Sequence, residues 1–329
     1  MDQRAALTGR ASPSGRRPPA TFEGHGVLVL DKPPGMTSAA AVDRVRRQLG
    51  AARAGHGGTL DPIATGVLPI AINAATKLAS YMLADDKAYD CEAVFGTATS
   101  TLDRTGMVTD TKPWAHVTRD ALQAALAARL GEHDQVPPMH SAIKVDGIRL
   151  YKRAHLGEEI ERRARRVRVD RFELRAFDPP HFAVAIACGK GTYVRSLIAD
   201  VATDLGTVAH LTALRRTRAG AFAIEQAIAL ADVTPAAIAG RLIAVEVLSG
   251  LPAVAVTDPE LLRLVLHAVQ IDPARLGASQ PAFQLVDGAG RLLALVHTLR
   301  HADGDKVIYD RVFPELHHHA GSPGPPPPS

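Results

Sequence analysis

A short strand that runs straight into a breaker constrains this chain more than any other stretch. Val27-Leu28-Val29-Leu30 is apolar with two β-branched members, and Asp31-Lys32-Pro33-Pro34-Gly35 cannot continue it. The chain must therefore turn at once. Thr37 or Ser38 can cap the next helix, which places Ala41, Val42, Val45 and Leu49 on one face and ends at Gly50. Ala51 to Gly66 follows, rich in Gly and polar residues and too irregular for either element. A connection of that kind between firm elements often carries function.

Downstream, Ala74 to Ala84 reads as a helix and Tyr89 to Gly96 as a strand. Thr118 to Leu130 is an amphipathic helix with Thr118 as its cap, and Val145-Asp146-Gly147-Ile148 signals a hairpin turn. Val167 to Phe177 and Phe182 to Cys188 form a strand pair broken at Asp178-Pro179-Pro180, and Thr192 to Leu205 is helical, closed by Gly206. Strands and helices without regular βαβ alternation predict a mixed α/β (α+β) domain around a largely antiparallel sheet. After Gly250 the texture changes to short runs, Phe283 to Val286 and Leu292 to Val296, with turn signals at Asp287-Gly288 and Asp303-Gly304. That predicts a small β-rich second domain over 251–315.

The 329 residues exceed the usual single-domain length, so a catalytic-sized domain over 24–250 beside the smaller one is the expected division. Residues 1–23 carry Arg4, Arg10, Arg16 and Arg17 among Ser, Pro and Gly with no apolar stretch for a signal peptide, and predict a disordered basic arm. The His- and Pro-rich 316–329 predicts a disordered tail. No apolar run approaches the roughly 18 residues that span a bilayer. Cys91 and Cys188 sit in apolar strand-like surroundings and predict free thiols. These traits point to a cytoplasmic protein. Between Lys144 and Arg175 stand eleven Lys or Arg against six Asp or Glu, including Arg162, Arg163, Arg165, Arg166 and Arg168. A solvated face and a phosphate-binding surface are equal readings of that excess.

The chemically informative segment is Gly55-His56-Gly57-Gly58-Thr59-Leu60-Asp61-Pro62-Ile63-Ala64-Thr65-Gly66. Its glycines let backbone approach a ligand, and Pro62 keeps Asp61 out of helical geometry, so a shaped loop presents the carboxylate. As pattern alone it is weak, and a structural Asp-Pro turn is the better reading of it. It is neither a phosphate-binding P-loop nor a dinucleotide fingerprint.

Several motifs occur together and in order: Gly26-Val-Leu-Val-Leu-Asp-Lys-Pro33, Gly55-His-Gly-Gly-Thr-Leu-Asp-Pro62, Lys87-Ala88-Tyr89, Ala142-Ile143-Lys144, Lys190-Gly-Thr-Tyr-Val-Arg195 and Leu214-Arg215-Arg216. From about Gly24 to Gly250 the chain resembles the bacterial tRNA pseudouridine-55 synthases, the TruB family, and its C-terminal part loosely resembles the PUA-type RNA-binding domain such enzymes append.

The resemblance implies isomerisation of uridine to pseudouridine in the T-loop of tRNA. The C1′–N1 bond breaks, uracil turns within the pocket, and C5 joins C1′, with no cofactor and no metal. It makes Asp61 the catalytic carboxylate, Arg195 its ion-pair partner, and Tyr89 the ring packed on the base and a carrier of the C5 proton. Tyr193 and Leu214 line the base pocket, His56 fills the stack that the flipped nucleotide leaves, and Lys32 contacts substrate or positions the loop. Whether Asp61 attacks C1′, adds to the base or takes a ribose proton stays open. The family commonly has Thr where this chain has Gly57. The implied partner is the tRNA T-stem-loop, with no membrane and no second subunit. A tRNA-folding chaperone of the same fold and a hydrolytic nucleosidase are the rival readings.

Overall fold

The computed structural model describes residues 21–82, 86–139, 141, 144–145, 148–149, 160–277, 280–300 and 305–317. Most of the expected basic arm, Ala142-Ile143, the Asp146-Gly147 turn, Asp303-Gly304 and the tail from residue 318 lie outside these residues.

Ten described strands form one sheet. They are β1 (Gly26–Lys32), β2 (Ala54–His56), β3 (Thr65–Ile72), β4 (Lys87–Phe95), β7 (Gly131–Gln135), β10 (Arg165–Asp178), β11 (His181–Cys188), β12 (Ala209–Ala219), β13 (Phe222–Ala223) and β14 (Ile228–Ala229). Between them in the chain lie two small ribbons, β5 (Thr97–Thr99) with β6 (Val108–Thr111) and β8 (Lys144–Val145) with β9 (Ile148–Arg149). The order across the sheet is β14-β1-β3-β12-β4-β11-β10-β7, with β2 added to β3 and β13 to β12. Pairing is antiparallel except for β1 with β14 and β3 with β12. The expected mixed fold with a largely antiparallel sheet is what forms.

The residue pattern explains which strands are covered on both faces. In β1, Leu28 and Leu30 enter one core while Val27 and Val29 enter another, and in β3 Leu68, Ile70 and Ile72 face the first while Val67 and Ala71 face the second. Continuous apolar runs are what two-sided burial requires. In β4, Tyr89, Cys91, Ala93 and Phe95 are buried while Asp90 and Glu92 are exposed, the alternation of a strand with one wet face.

Helices α1 (Ser38–Leu49), α2 (Arg119–Ala128) and α3 (Val194–Asp204) supply the first core with Val45, Leu49, Leu122, Leu126, Leu197 and Ile198, among others. Thr37 caps α1 by accepting from the Ala40 N–H, Gly50 closes it, and Thr118 caps α2 through the Ala121 N–H, as the sequence predicts. The helix expected over Ala74 to Ala84 is instead a 3₁₀ turn, Asn73–Leu78, followed by turns to Met82. Asn73 fixes that start: its amide donates to Phe22 O and Gly24 O, its side-chain oxygen accepts from Arg53 N, and its φ is 51°. The segment Ala51 to Gly66, read as irregular, also contains β2, whose three residues pair with the edge of β3.

The second unit is a four-stranded sheet, β15 (Ala253–Ala255), β16 (Ala282–Val286), β17 (Leu292–Leu299) and β18 (Lys306–Val312), packed with helix α4 (Pro259–Leu266). It is not a loose appendage. Leu292, Leu295 and Phe313 share a core with Val27, Val29, Val67 and Leu78 of the first unit. Lys77 is spent on this junction: its Nζ donates to Val312 O at 2.7 Å and pairs with Glu315 at 2.7 Å. No described helix is long and apolar enough to cross a membrane.

Candidate active site

The Asp61 loop is fixed by backbone contacts on three sides. Ser38, 2% exposed at the start of α1, accepts from Leu60 N at 2.8 Å and donates to Leu60 O at 3.0 Å. Pro62 O accepts from Gly35 N at 2.9 Å and from Lys32 Nζ at 3.4 Å. Arg216, fully buried on β12, donates to Val67 O at 2.7 Å, Gly58 O at 3.2 Å and Thr59 O at 3.4 Å. A buried guanidinium with a fork of donors suits such convergent carbonyls. Gly66 makes the approach of the strands possible, because its φ is +96° and a Cβ there would collide with Arg216 O.

What this scaffold leaves outward is the Asp61 carboxylate, 34% exposed, against the Arg195 guanidinium, 4% exposed. Arg195 Nε lies 2.9 Å from Asp61 Oδ2. Arg195 stands in the first turn of α3, and its Nη1 donates to Thr101 O at 2.6 Å. The expected pairing of Asp61 with Arg195 is present, though 134 positions separate them.

Tyr89 reaches the same place through register: Gly66 of β3 lies opposite Arg216 of β12, and Arg216 lies opposite Tyr89 of β4. Burial pushes the Tyr89 phenol up to about 12, with the Arg216 charge opposing. Burial likewise lowers the Arg216 guanidinium, with Tyr89 and Asp61 opposing. Tyr193, half-buried at the start of α3, exchanges backbone hydrogen bonds with the Gln135 side chain at 2.8 and 3.1 Å. Burial raises its phenol and the Asp61 charge adds to that shift. Leu214, 6% exposed, packs in the core that also contains Leu60 and Tyr89. His56 is half-buried on β2, opposite Ile70.

Two sequence expectations change. Lys32 is fully buried, and its ammonium donates to Pro33 O at 2.9 Å, Met36 O at 2.8 Å and Pro62 O. Burial lowers it to about 8 against the pull of Asp61. With its donors committed to carbonyls, it holds the loop and does not face a substrate. Part of the basic stretch is also neutralised: Arg166 pairs with Glu132 and Asp134, Arg168 with Asp86 and Asp170, and Arg171 and Arg175 with Glu173. Arg165 differs, being exposed, near Tyr193, and in no ion pair with a described residue.

Gly57 now has a reason. A Cβ there would lie 2.5 Å from Met82 Cβ and 3.1 Å from its Cε, so Met82 occupies the space a side chain would need. Sequence reasoning quoted Arg216 only within a motif and Ser38 only as a cap. A paired Arg-Arg inside an apolar strand was the available signal for the first.

Residues 46–194 match the TruB family pseudouridylate synthase N-terminal domain, and residues 195–248 match the tRNA pseudouridylate synthase B C-terminal domain. The chain is 47% identical over 247 residues to tRNA pseudouridine synthase B of Caulobacter vibrioides, covering 73% of this chain and 79% of that protein. It is 49% identical over 205 residues to tRNA pseudouridine synthase B of Pseudomonas aeruginosa, covering 62% and 67%. A solved Cbf5-Nop10-Gar1 complex contains a chain of similar fold, with 26% identity, a TM-score of 0.65 and coverage of 93% of this chain and 92% of that one.

Proposed function

The chain belongs to the TruB family of pseudouridylate synthases, and from that premise we propose that it isomerises a T-loop uridine of tRNA to pseudouridine with Asp61 as the catalytic carboxylate. It is an isomerase acting on tRNA. The observation that carries the site assignment is the Asp61–Arg195 pair, a part-exposed carboxylate held at 2.9 Å by a buried guanidinium beside Tyr89's strand.

Breaking the C1′–N1 bond leaves positive character at C1′, which a directed carboxylate stabilises or captures, as in glycoside chemistry. Arg195 keeps that carboxylate aimed. Uracil leaves with the bond's electron pair, turns within the pocket, and forms the C5–C1′ bond. C5 then loses its proton and N1 gains one, so the product has the atoms of the substrate. Tyr89 enters as a neutral phenol, since burial pushes it to about 12. It takes the C5 proton as its own proton passes by way of water to N1, and Arg216 beside it steadies the charge that develops meanwhile.

Base chemistry in folded RNA requires extrusion of the nucleotide, at a cost of a few kcal/mol. His56 fills the vacated stack, and Tyr193 and Leu214 wall the base. Residues 24–250 do the chemistry, and 251–315 serve as a PUA-like RNA-binding unit, held in fixed orientation by the shared core around Phe313. The work belongs in the cytoplasm with its tRNA substrate, and the reaction uses no cofactor.

Incubating the purified protein with an isolated T-stem-loop, then resolving uridine, pseudouridine and free uracil, tests this reading. Pseudouridine without free uracil is expected. Released uracil, or solvent oxygen at C1′, would establish hydrolysis instead, and binding without conversion would establish a chaperone.

A further inference from the structure

Strand β7 lies at the edge of the sheet and is wet along most of its length, but its last residue turns inward. Gln135 is 2% exposed, while Gly131, Glu132 and Asp134 are exposed. A buried amide is costly unless both its donor and its acceptor are met. One residue meets both. Gln135 Oε1 accepts from Tyr193 N at 2.8 Å, and its Nε2 donates to Tyr193 O at 3.1 Å. These are the two bonds a neighbouring strand would make, supplied here by a side chain. Tyr193 has use for them, because it stands at the start of α3 in extended geometry, φ −101° and ψ 107°, with no side-chain cap bond of its own. The glutamine is itself firmly seated: its backbone pairs with Arg165 of β10, Val136 O accepts from Ser196 Oγ at 3.3 Å, and Pro137 O accepts from Arg162 Nη1 at 3.1 Å.

Fixing both backbone polar groups of Tyr193 fixes the direction in which its Cα–Cβ bond, and so its ring, leaves the chain. That ring enters the site, where the phenol feels the charges of Asp61, Arg165 and Arg195. Arg195, two residues further on, has anchors of its own in Thr101 O and Asp61. Gln135 therefore acts on the wall of the base pocket and not on the ion pair. We propose that Gln135 is a positioning residue for the target base: its side-chain amide clasps the Tyr193 backbone and so sets the tyrosine ring against the uracil. This rests on the placement of Tyr193 at the base given above. A brace that only stitched the end of β7 to α3 would use the Ser196 bond and the Gln135 bonds alike, because both join the same two segments. The clasp treats them differently, because Gln135 alone holds the tyrosine.

The test compares Gln135→Met, which keeps the side chain's length and removes both bonds, with Ser196→Ala, measuring kcat on a T-stem-loop, Kd for it and the urea midpoint. Both variants are expected to lower the midpoint. Gln135→Met should also lose kcat on the order of tenfold, the scale set by small misplacements around a reacting group. Its Kd should hold, since phosphate and shape contacts dominate affinity. Ser196→Ala should keep kcat close to wild type. In a Tyr193→Ala background no ring remains to be aimed, so Gln135→Met should there lower kcat by less than about twofold, the mark of two residues acting as one unit. An undiminished fall in that background, an equal kcat loss in Ser196→Ala, or wild-type kcat in Gln135→Met would overturn the clasp. If Gln135→Met does not fold, Gln135→Asn, whose amide is one carbon short of Tyr193, carries the same comparison with the same outcomes. Wild-type kcat in Tyr193→Ala would overturn the base wall and the clasp with it, whereas an impaired Tyr193→Ala beside an additive double variant removes the clasp alone.

Discussion

The Gly55–Gly66 loop and the stretch from Arg162 to Arg175 are both unusual in composition, yet they fold to opposite ends. In the loop, Ser38, Gly35, Lys32 and Arg216 take up the backbone polar groups on either side of Asp61, so one carboxylate is left pointing at one guanidinium. In the arginine stretch, charges of both signs alternate along and across strands, and Arg166, Arg168, Arg171 and Arg175 are consumed by neighbouring acids. A site therefore comes from polar groups whose partners are already settled, leaving one direction free. Density of charge does not make one.

The most severe way to break this contrast is Asp61→Asn, which keeps shape and removes the charge the loop exists to present. A loss of turnover on the order of 10⁴-fold or more is expected, the scale of removing a central catalytic group. RNA affinity should stay within about tenfold, since phosphate and shape contacts dominate it. Turnover close to wild type would place the chemistry elsewhere.

Tyr89→Phe asks whether the strand beside the loop contributes a proton or only a ring. The hydroxyl's loss should cost about 10²-fold in kcat at unchanged affinity, the lower end of acid–base contributions. Wild-type kcat would make Tyr89 a packing residue. The same variant has a stability signature. The folded phenol, at about 12, lies above its ordinary 10.0, so its contribution is complete below pH 10 and declines as pH rises toward 12. In urea titrations over that window, wild type should lose stability relative to Tyr89→Phe, and parallel curves would contradict the burial of the phenol.

Gly57→Thr probes the loop's fit. Its Cβ must displace Met82 Cβ, and overpacking of this kind costs about 1–3 kcal/mol. Met82→Gly in the same chain should return part of that loss, and a wild-type urea midpoint for Gly57→Thr alone would refute the contact. The smallest effects belong to the arginine stretch and sharpen the contrast from within it. Arg165→Gln should lower the slope of log K against log salt by about 1, as for a phosphate contact. Arg171→Gln should change neither RNA affinity nor melting temperature measurably, because exposed ion pairs contribute little. Equal slopes for both variants would mean that pairing with Glu173 does not decide which arginine meets RNA.

How much of this was legible follows from whether the signal is local. The β1 run, the Thr37 and Thr118 caps and the β10–β11 pair are set by neighbours in sequence and stand where expected, but β1 continues through Asp31 and Lys32, which pair with Val67 and Gly66 of β3, and breaks only at Pro33. Asp61, Tyr89 and Arg195 were found because family motifs carry them, and only the fold brings Arg195 to Asp61. β3 was missed because Pro69 sits mid-strand and argues against a ladder. β12 was missed because its Arg215 and Arg216 interrupt an apolar pattern; their partners, Asp31 for one and the loop carbonyls for the other, lie roughly 150 to 185 residues away. Nothing near Lys77 in sequence reveals its partner Glu315, 238 positions away.

The central claim is that this loop and its guanidinium isomerise one uridine of the tRNA T-loop. Mapping pseudouridine at nucleotide resolution in total tRNA lacking the modification, after incubation with wild-type protein or Asp61→Asn, tests reaction, substrate and position together. The account predicts a single new pseudouridine in the T-loop with wild type and none with Asp61→Asn. Modification at other positions only, or the same T-loop product from both proteins, would contradict it.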